Sequence, residues 1–307
     1  MISLVIPVYN EEENIKILHE KISTALRGNN IDYEVIYVDD GSNDNSYNLL
    51  KEIKDENTKI IKFRRNFGQT ASLQAGINNS KGDIIITLDA DLQNDPNDIP
   101  KLIEKYKEGY DLVSGWRKNR HDNITRTFPS KIANFLISNV TKTRLHDAGC
   151  TLKAYNGDIL RRINLFGDHH RFIPAIFMEY SDKITEVEVE HHPRIYGKSK
   201  YNMFRIFRVI NDLAAIAYWK KYKNKPMYFW GNLSAIMFIL AIISIIIWFL
   251  YLISNIITVF NIILPLLAII LIMSGTITFA IGLIFEAILR NDLRQDKEQN
   301  YQIESII

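Results

Sequence analysis

The sequence predicts an α/β fold: a mostly parallel, Rossmann-like sheet, then amphipathic interfacial helices and a two-helix transmembrane hairpin. Three observations predict it. Short β-branched runs alternate with amphipathic stretches and short loops through the first third of the chain, the pattern of strand–helix–strand units. One run, Ile84 to Leu88, is apolar on both faces and stops abruptly at Asp89, Asp91 and Gln93, as a buried strand does at a ligand-binding edge. Two later runs, 228–253 and 262–289, each exceed the roughly 20 apolar residues that span a bilayer and contain no Lys or Arg.

Taken in order, Ile2 to Val8 is the first strand. A helix with Ile15, Leu18, Ile22 and Leu26 on one face follows, with Asn10 as its expected cap and Glu11, Glu12 and Glu13 near its positive end. Tyr33 to Val38 is a second strand, stopped by Asp39-Asp40-Gly41-Ser42, and Ser46 to Lys54 is helical. Ile60 to Phe63 makes a third strand, and Asn66-Phe67-Gly68-Gln69-Thr70 opens a helix through Ala75 and Ile77. The strand beginning at Gly82 is next, and Pro96 ends the acidic segment beyond it because proline cannot continue a sheet. Asp111 to Trp116 is a further strand ending at Arg117. Ile132, Phe135, Leu136 and Val140 then form an apolar stripe that suits either a core or a membrane interface. Residues 201–221 alternate apolar side chains with Arg205 and Arg208, as a helix lying on a bilayer does.

The chemistry concentrates at the strand ends. Alternate residues of an extended chain share a face, so Asp89 and Asp91 point the same way and Gln93 follows. Two carboxylates and an amide oxygen suit a hard cation, Mg²⁺ or Mn²⁺. Neither G-x-G-x-x-G nor G-x-x-x-x-G-K-[ST] occurs, which removes the main support for a dinucleotide oxidoreductase or a P-loop NTPase. Arg194, Lys198 and Lys200 bracket Gly197 in a turn suited to phosphate. Paired histidines at 169–170 and 191–192 have no accompanying Cys or H-x-x-x-H spacing, so zinc is not expected. Cys150 stands alone, which excludes an intrachain disulfide and reads as a buried small hydrophobe.

Four segments carry a family resemblance: Ile-Pro-Val-Tyr-Asn-Glu from Ile6, Val-Asp-Asp-Gly-Ser from Val38, Asn-Phe-Gly-Gln from Asn66, and Leu-Asp-Ala-Asp-Leu-Gln-x-x-Pro from Leu88. In this order and spacing the chain resembles the family 2 inverting glycosyltransferases of GT-A fold. Within them it is similar to the polyprenyl-phosphate glycosyltransferases, the group of dolichyl-phosphate mannose synthase and the bacterial undecaprenyl-phosphate glucosyl and aminoarabinosyl enzymes. The resemblance implies transfer from a nucleotide sugar, a UDP-linked hexose such as glucose or N-acetylglucosamine, to undecaprenyl or a related polyprenyl phosphate. It implies that Pro7, Tyr9, Glu11, Asp39 and Asp40 line the base and ribose pocket, and that Gln69 and Asp89 also face the donor. Asp89, Asp91 and Gln93 would hold the metal on the diphosphate. Arg117, Arg126 and Ser130 would grip the lipid phosphate together with Arg194, Lys198 and Lys200. Asp147 matches the acceptor-side acid and, with Asp91, is the catalytic candidate. A phosphate monoester is largely dianionic at neutral pH, so a positioning role outweighs a base role for Asp147.

The expected layout is a catalytic domain over 1–198, a juxtamembrane amphipathic helix and basic linker over 199–226, two transmembrane helices within 227–290, and a tail over 291–307. No signal peptide is expected, since Met1 leads directly into a strand. Lys220, Lys221, Lys223 and Lys225 on one flank, with Arg290 and Arg294 on the other, predict a multi-pass inner- or plasma-membrane protein with both termini cytoplasmic. Glu286 reads as interfacial. The net charge of +2 excludes little by itself; no nucleic-acid partner is expected, and a homo-oligomer is left open. Two other readings are weaker. A processive polysaccharide synthase needs more spans and a Gln-x-x-Arg-Trp motif that is absent, and a non-catalytic scaffold would not need Asp89, Asp91 and Gln93 intact.

Overall fold

The computed structural model describes residues 1–118, 145–165, 167, 169–193, 214–215, 217–219, 221–222, 224–254 and 259–295. The amphipathic segment expected from 201 lies mostly outside them. The chain divides into two compact units, Met1–Leu213 and Ala214–Ile307.

The first unit is built on β1 (Ile2–Val8), β2 (Tyr33–Asp39), β3 (Thr58–Lys62), β4 (Ile84–Thr87), β5 (Leu112–Trp116), β6 (Lys153–Asn156) and β7 (Ile184–Glu188). These form one sheet in the order β3-β2-β1-β4-β6-β5-β7. β3, β2, β1 and β4 run parallel, the arrangement expected from the alternation of strands and helices. β6 is antiparallel to both its neighbours, whereas β5 and β7 are parallel. The sheet is therefore mixed. Neither β6 nor β7 stands out in the sequence, because β6 has only four residues, including a lysine and an asparagine, and β7 is punctuated by two glutamates.

Helices cover both faces. On β1, Leu4, Ile6 and Val8 face α1 (Ile15–Arg27), α2 (Ser46–Glu52) and α4 (Ile99–Lys107), packing with Ile15, Leu18, Leu50 and Leu102. Val5 points the other way, into a second cluster with Leu73 of α3 (Gln69–Asn78), Leu160 of α5 (Gly157–Arg162) and Phe177 of α6 (Ile173–Phe177). Each such wholly buried aliphatic side chain contributes roughly 1.5–3 kcal/mol of transfer free energy. Gly76 lets α3 lie directly on β1, since a Cβ there would sit 2.3 Å from Val5 Cγ1.

Asn10 does not cap α1. It adopts a φ of +56°, and its Oδ1 accepts from Asn43 N at 2.8 Å while its own N–H donates to Ser42 Oγ at 3.0 Å. The helix starts at Ile15, after a turn, so the local side-chain bonding of asparagine has won over capping. Glu11 N to Ser46 Oγ, at 2.9 Å, and Asn45 N to Glu12 Oε2, at 2.8 Å, continue the stitching between the loops after β1 and β2. Gly41, at φ +69°, allows the β2 loop to touch the chain at Arg65, whose carbonyl carbon would lie 2.4 Å from a Cβ.

The second unit contains α7 (Pro226–Ile253) and α8 (Phe260–Gln295), both long and apolar enough to cross a membrane over Pro226–Ile253 and Phe260–Leu289. Small residues line their contact: a Cβ on Gly275 would meet Phe238 at 3.1 Å, and one on Gly282 would meet Met227 Sδ at 2.8 Å. Large side chains such as Ile239, Ile246 and Ile253 point outwards and are more than half exposed. Ser234 Oγ donates to Gly275 O at 2.8 Å and Ser244 Oγ to Leu264 O at 2.9 Å, joining the helices by their backbones. Pro265 lies inside α8 and has no N–H for the carbonyl four residues earlier, that of Asn261. Trp248 Nε1 donates to that carbonyl at 3.0 Å.

Candidate active site

Because β2, β1 and β4 are parallel neighbours, their carboxyl ends open side by side, the position where open α/β sheets bind ligands. A cleft of about 370 Å³ lies there. Pro7, Tyr9, Glu11, Asp40, Gln69 and Asp89, all expected at the donor, line it together with Asp91. Asn66 and Gly68 line it too; both stood in a quoted motif, but neither was singled out.

The two acids after β2 differ. Asp40 is buried, and its carboxylate accepts Phe67 N at 2.7 Å and Gly68 N at 2.9 Å, bracing the loop that starts α3. Asp39 is also buried and outside the cleft lining; its Oδ1 accepts Ser42 N at 3.2 Å, and its Oδ2 has no hydrogen-bond partner among the described residues. An orphaned carboxylate oxygen beside the cleft is an acceptor awaiting a donor.

The segment after β4 is not extended as the alternation argument assumed. The strand ends at Thr87, and Leu92 has a φ of +60°. Asp89 and Asp91 nonetheless reach the same cleft, whereas Gln93 is not among its lining residues. Asp89 Oδ1 accepts Gln69 Nε2 at 2.8 Å, and Asp91 Oδ1 accepts Gln93 N at 3.2 Å. Burial, reinforced by the Asp91 charge, pushes the Asp89 carboxyl up to about 7, against a hydrogen bond from Thr151 and the charges of Arg117 and Lys153. Two hard carboxylate oxygen donors facing one cleft are what a divalent cation fits.

A second constellation stands at the end of β5. Arg117 clasps Asp147 in a fork, Nε to Oδ2 at 2.6 Å and Nη2 to Oδ1 at 3.0 Å, with both side chains almost entirely buried. Sequence reasoning put both at the acceptor but did not foresee that they would pair. It also missed Glu186, which accepts from the Asp147 backbone, and Lys153, a buried lysine whose Nζ donates to the carbonyls of Ala148 and Cys150. Burial lowers the Lys153 ammonium and raises the Cys150 thiol, which fits the reading of Cys150 as a small hydrophobe. Arg126, Ser130, Arg194, Lys198 and Lys200 lie outside the described residues. Elsewhere, ligand atoms of Asp95, Glu190 and His192 lie within 4.8 Å of one another, with His192 Nε2 bonded to Asp95 Oδ2 at 3.1 Å.

Residues 3–163 match the family described as Glycosyl transferase family 2. The chain is 39% identical to a dodecaprenyl-phosphate galacturonate synthase of Rhizobium johnstonii, over 99% of this chain and 92% of the relative. It is 40% identical to an undecaprenyl-phosphate 4-deoxy-4-formamido-L-arabinose transferase of Proteus mirabilis, over 69% of this chain and 66% of that one. Among solved structures, glucosyl-3-phosphoglycerate synthase of Mycobacterium tuberculosis in complex with Mn²⁺, UDP-glucose and phosphoglyceric acid is similar with a TM-score of 0.53. It shares 17% identity over 71% of this chain and 79% of that one, a likeness of fold. With the family match covering more than half of the residues and a relative aligned over nearly the whole length, the chain belongs to glycosyl transferase family 2 and has its GT-A fold.

Proposed function

We propose that this glycosyltransferase moves a sugar from a nucleotide donor to a polyprenyl phosphate at a membrane surface. The observation that carries the reading is the convergence of Asp89 and Asp91 with the β1 and β2 exits in one cleft. Pro7, Tyr9, Glu11 and Asp40 receive the base and ribose there, with Asp39 beside the cleft, and Gln69 orients Asp89. Asp89 and Asp91 hold Mg²⁺ or Mn²⁺, which when bound neutralises the departing diphosphate. Gln93 braces Asp91 through its backbone N–H. Arg117 faces the lipid phosphate, with Arg126, Ser130, Arg194, Lys198 and Lys200 as further cations and donors. Asp147 positions Arg117, because both of its oxygens serve that guanidinium and a dianionic acceptor needs no base.

The relatives move the donor sugar away from glucose or N-acetylglucosamine towards a uronate or a 4-formamido pentose. Membranes carrying the full chain, given UDP-linked galacturonate, formamido-arabinose, glucose and N-acetylglucosamine with undecaprenyl phosphate, should form lipid-linked product from one of the first two. EDTA should abolish it. Transfer from UDP-glucose alone would overturn the sugar assignment, and undiminished transfer in EDTA the metal. The positive flanks favour an orientation with both termini on the cytoplasmic side. Tags at residues 1 and 307 should be shielded from outside and a tag at Asn255 reachable; opposite accessibility of the two termini would refute the hairpin.

A further inference from the structure

The chain from His146 to Cys150 is gripped from two sides by groups of opposite charge. The Glu186 carboxylate takes the backbone N–H of His146 at 2.8 and 3.0 Å, that of Asp147 at 3.2 Å, and His146 Nδ1 at 2.7 Å. On the other side, the buried Lys153 ammonium donates to the carbonyls of Ala148 and Cys150. The His146 ring stacks on Trp116 with centroids 4.6 Å apart. Glu186 and Arg117 are fixed to adjacent parallel strands, since Ser114 pairs with Glu186 and Trp116 with Glu188, and Arg117 follows Trp116 directly. The Glu186 side chain is only 11% exposed, and withdrawing a carboxylate from water to serve backbone donors is costly unless those bonds matter.

We propose that Glu186 is a positioning residue for the acceptor step: it sets the Asp147 backbone, and through it the direction in which the Arg117 guanidinium faces the acceptor phosphate. This rests on the reading of Arg117 as an acceptor group. Displacement of a reacting partner by about 1 Å can cost on the order of a hundredfold in rate, so a strand-anchored brace is worth keeping. Glu186→Gln keeps the size of the side chain but turns one acceptor oxygen into a donor that faces backbone N–H groups.

The test uses the full chain in detergent, with steady-state kinetics for acceptor and donor, in the parent and in an Arg117→Lys background. Glu186→Gln should lower kcat/KM for polyprenyl phosphate by roughly ten- to a hundredfold and leave the nucleotide-sugar KM within about twofold. In Arg117→Lys, where the fork is already lost, it should add no more than about threefold, because two residues acting through one group are not additive. Full additivity, or an equal loss towards donor and acceptor, would mean that Glu186 only stabilises the fold. If Glu186→Gln does not fold, Glu186→Asp, which keeps the charge but falls short of the three donors, decides by the same criteria. Should Arg117→Lys alone leave the acceptor kinetics untouched, the acceptor reading itself fails and this inference falls with it.

Discussion

Asp91→Asn should lower transfer by about three orders of magnitude or more while the catalytic unit stays folded. A metal that stabilises developing charge is worth several kcal/mol, and each ~1.4 kcal/mol is tenfold in rate. Asparagine keeps the shape of the side chain and the oxygen that receives Gln93 N, so the turn after β4 should survive. The substitution has a second signature. Asp89 sits at about 7 because of burial and then the Asp91 charge, so in the parent protein a proton competes with the metal below that pH. Apparent Mn²⁺ affinity should therefore rise with pH through about 7 and level off above it. With Asp91 neutral, Asp89 loses its like-charged neighbour and the break should move to lower pH. Titrating Mn²⁺ across pH by isothermal calorimetry gives both curves; a variant keeping a tenth of the parent activity with an unmoved break would show that the two carboxylates do not share a cation.

Arg117→Ala should destabilise the catalytic unit by about 3–5 kcal/mol, since it leaves the Asp147 carboxylate buried without its fork. For a unit of about two hundred residues, each kcal/mol shifts Tm by roughly 2–4 °C, so thermal unfolding of the full chain resolves the effect easily. Replacing both partners with apolar residues, Arg117→Met with Asp147→Leu, should recover much of the loss, because no charge is then stranded. Activity towards the lipid should not recover with it. An Arg117→Ala protein as stable as its parent would mean that water reaches the pair and that its burial is not what holds it.

The features that sequence reasoning reached are those written in local pattern. β1, β2 and β4 announced themselves because β-branched runs buried on both faces look alike wherever they occur, and Asp89, Asp91 and Asp40 followed from where those runs stop. What it missed depends on distant partners. Glu186 is 39 residues from Asp147 in sequence, and nothing local marks it as the acceptor of that N–H. Lys153 sits in a short strand where a lysine would usually argue against burial. The extended geometry assumed for Asp89 to Gln93 fails because β4 stops at Thr87, the chain turns at Ala90 and Asp91, and Leu92 takes a left-handed conformation that leucine rarely adopts.

The bond from Trp248 to the Asn261 carbonyl gives mutational history a direction. In hydrocarbon, a peptide carbonyl without a donor costs several kcal/mol. A lineage that loses Trp248 first removes the indole donor from the carbonyl that Pro265 has already deprived of its helical partner. One that loses Pro265 first restores the helical N–H, and the indole becomes dispensable. The two positions, 17 residues apart and on different helices, thus answer for one carbonyl, and the loss of one changes what the other is worth.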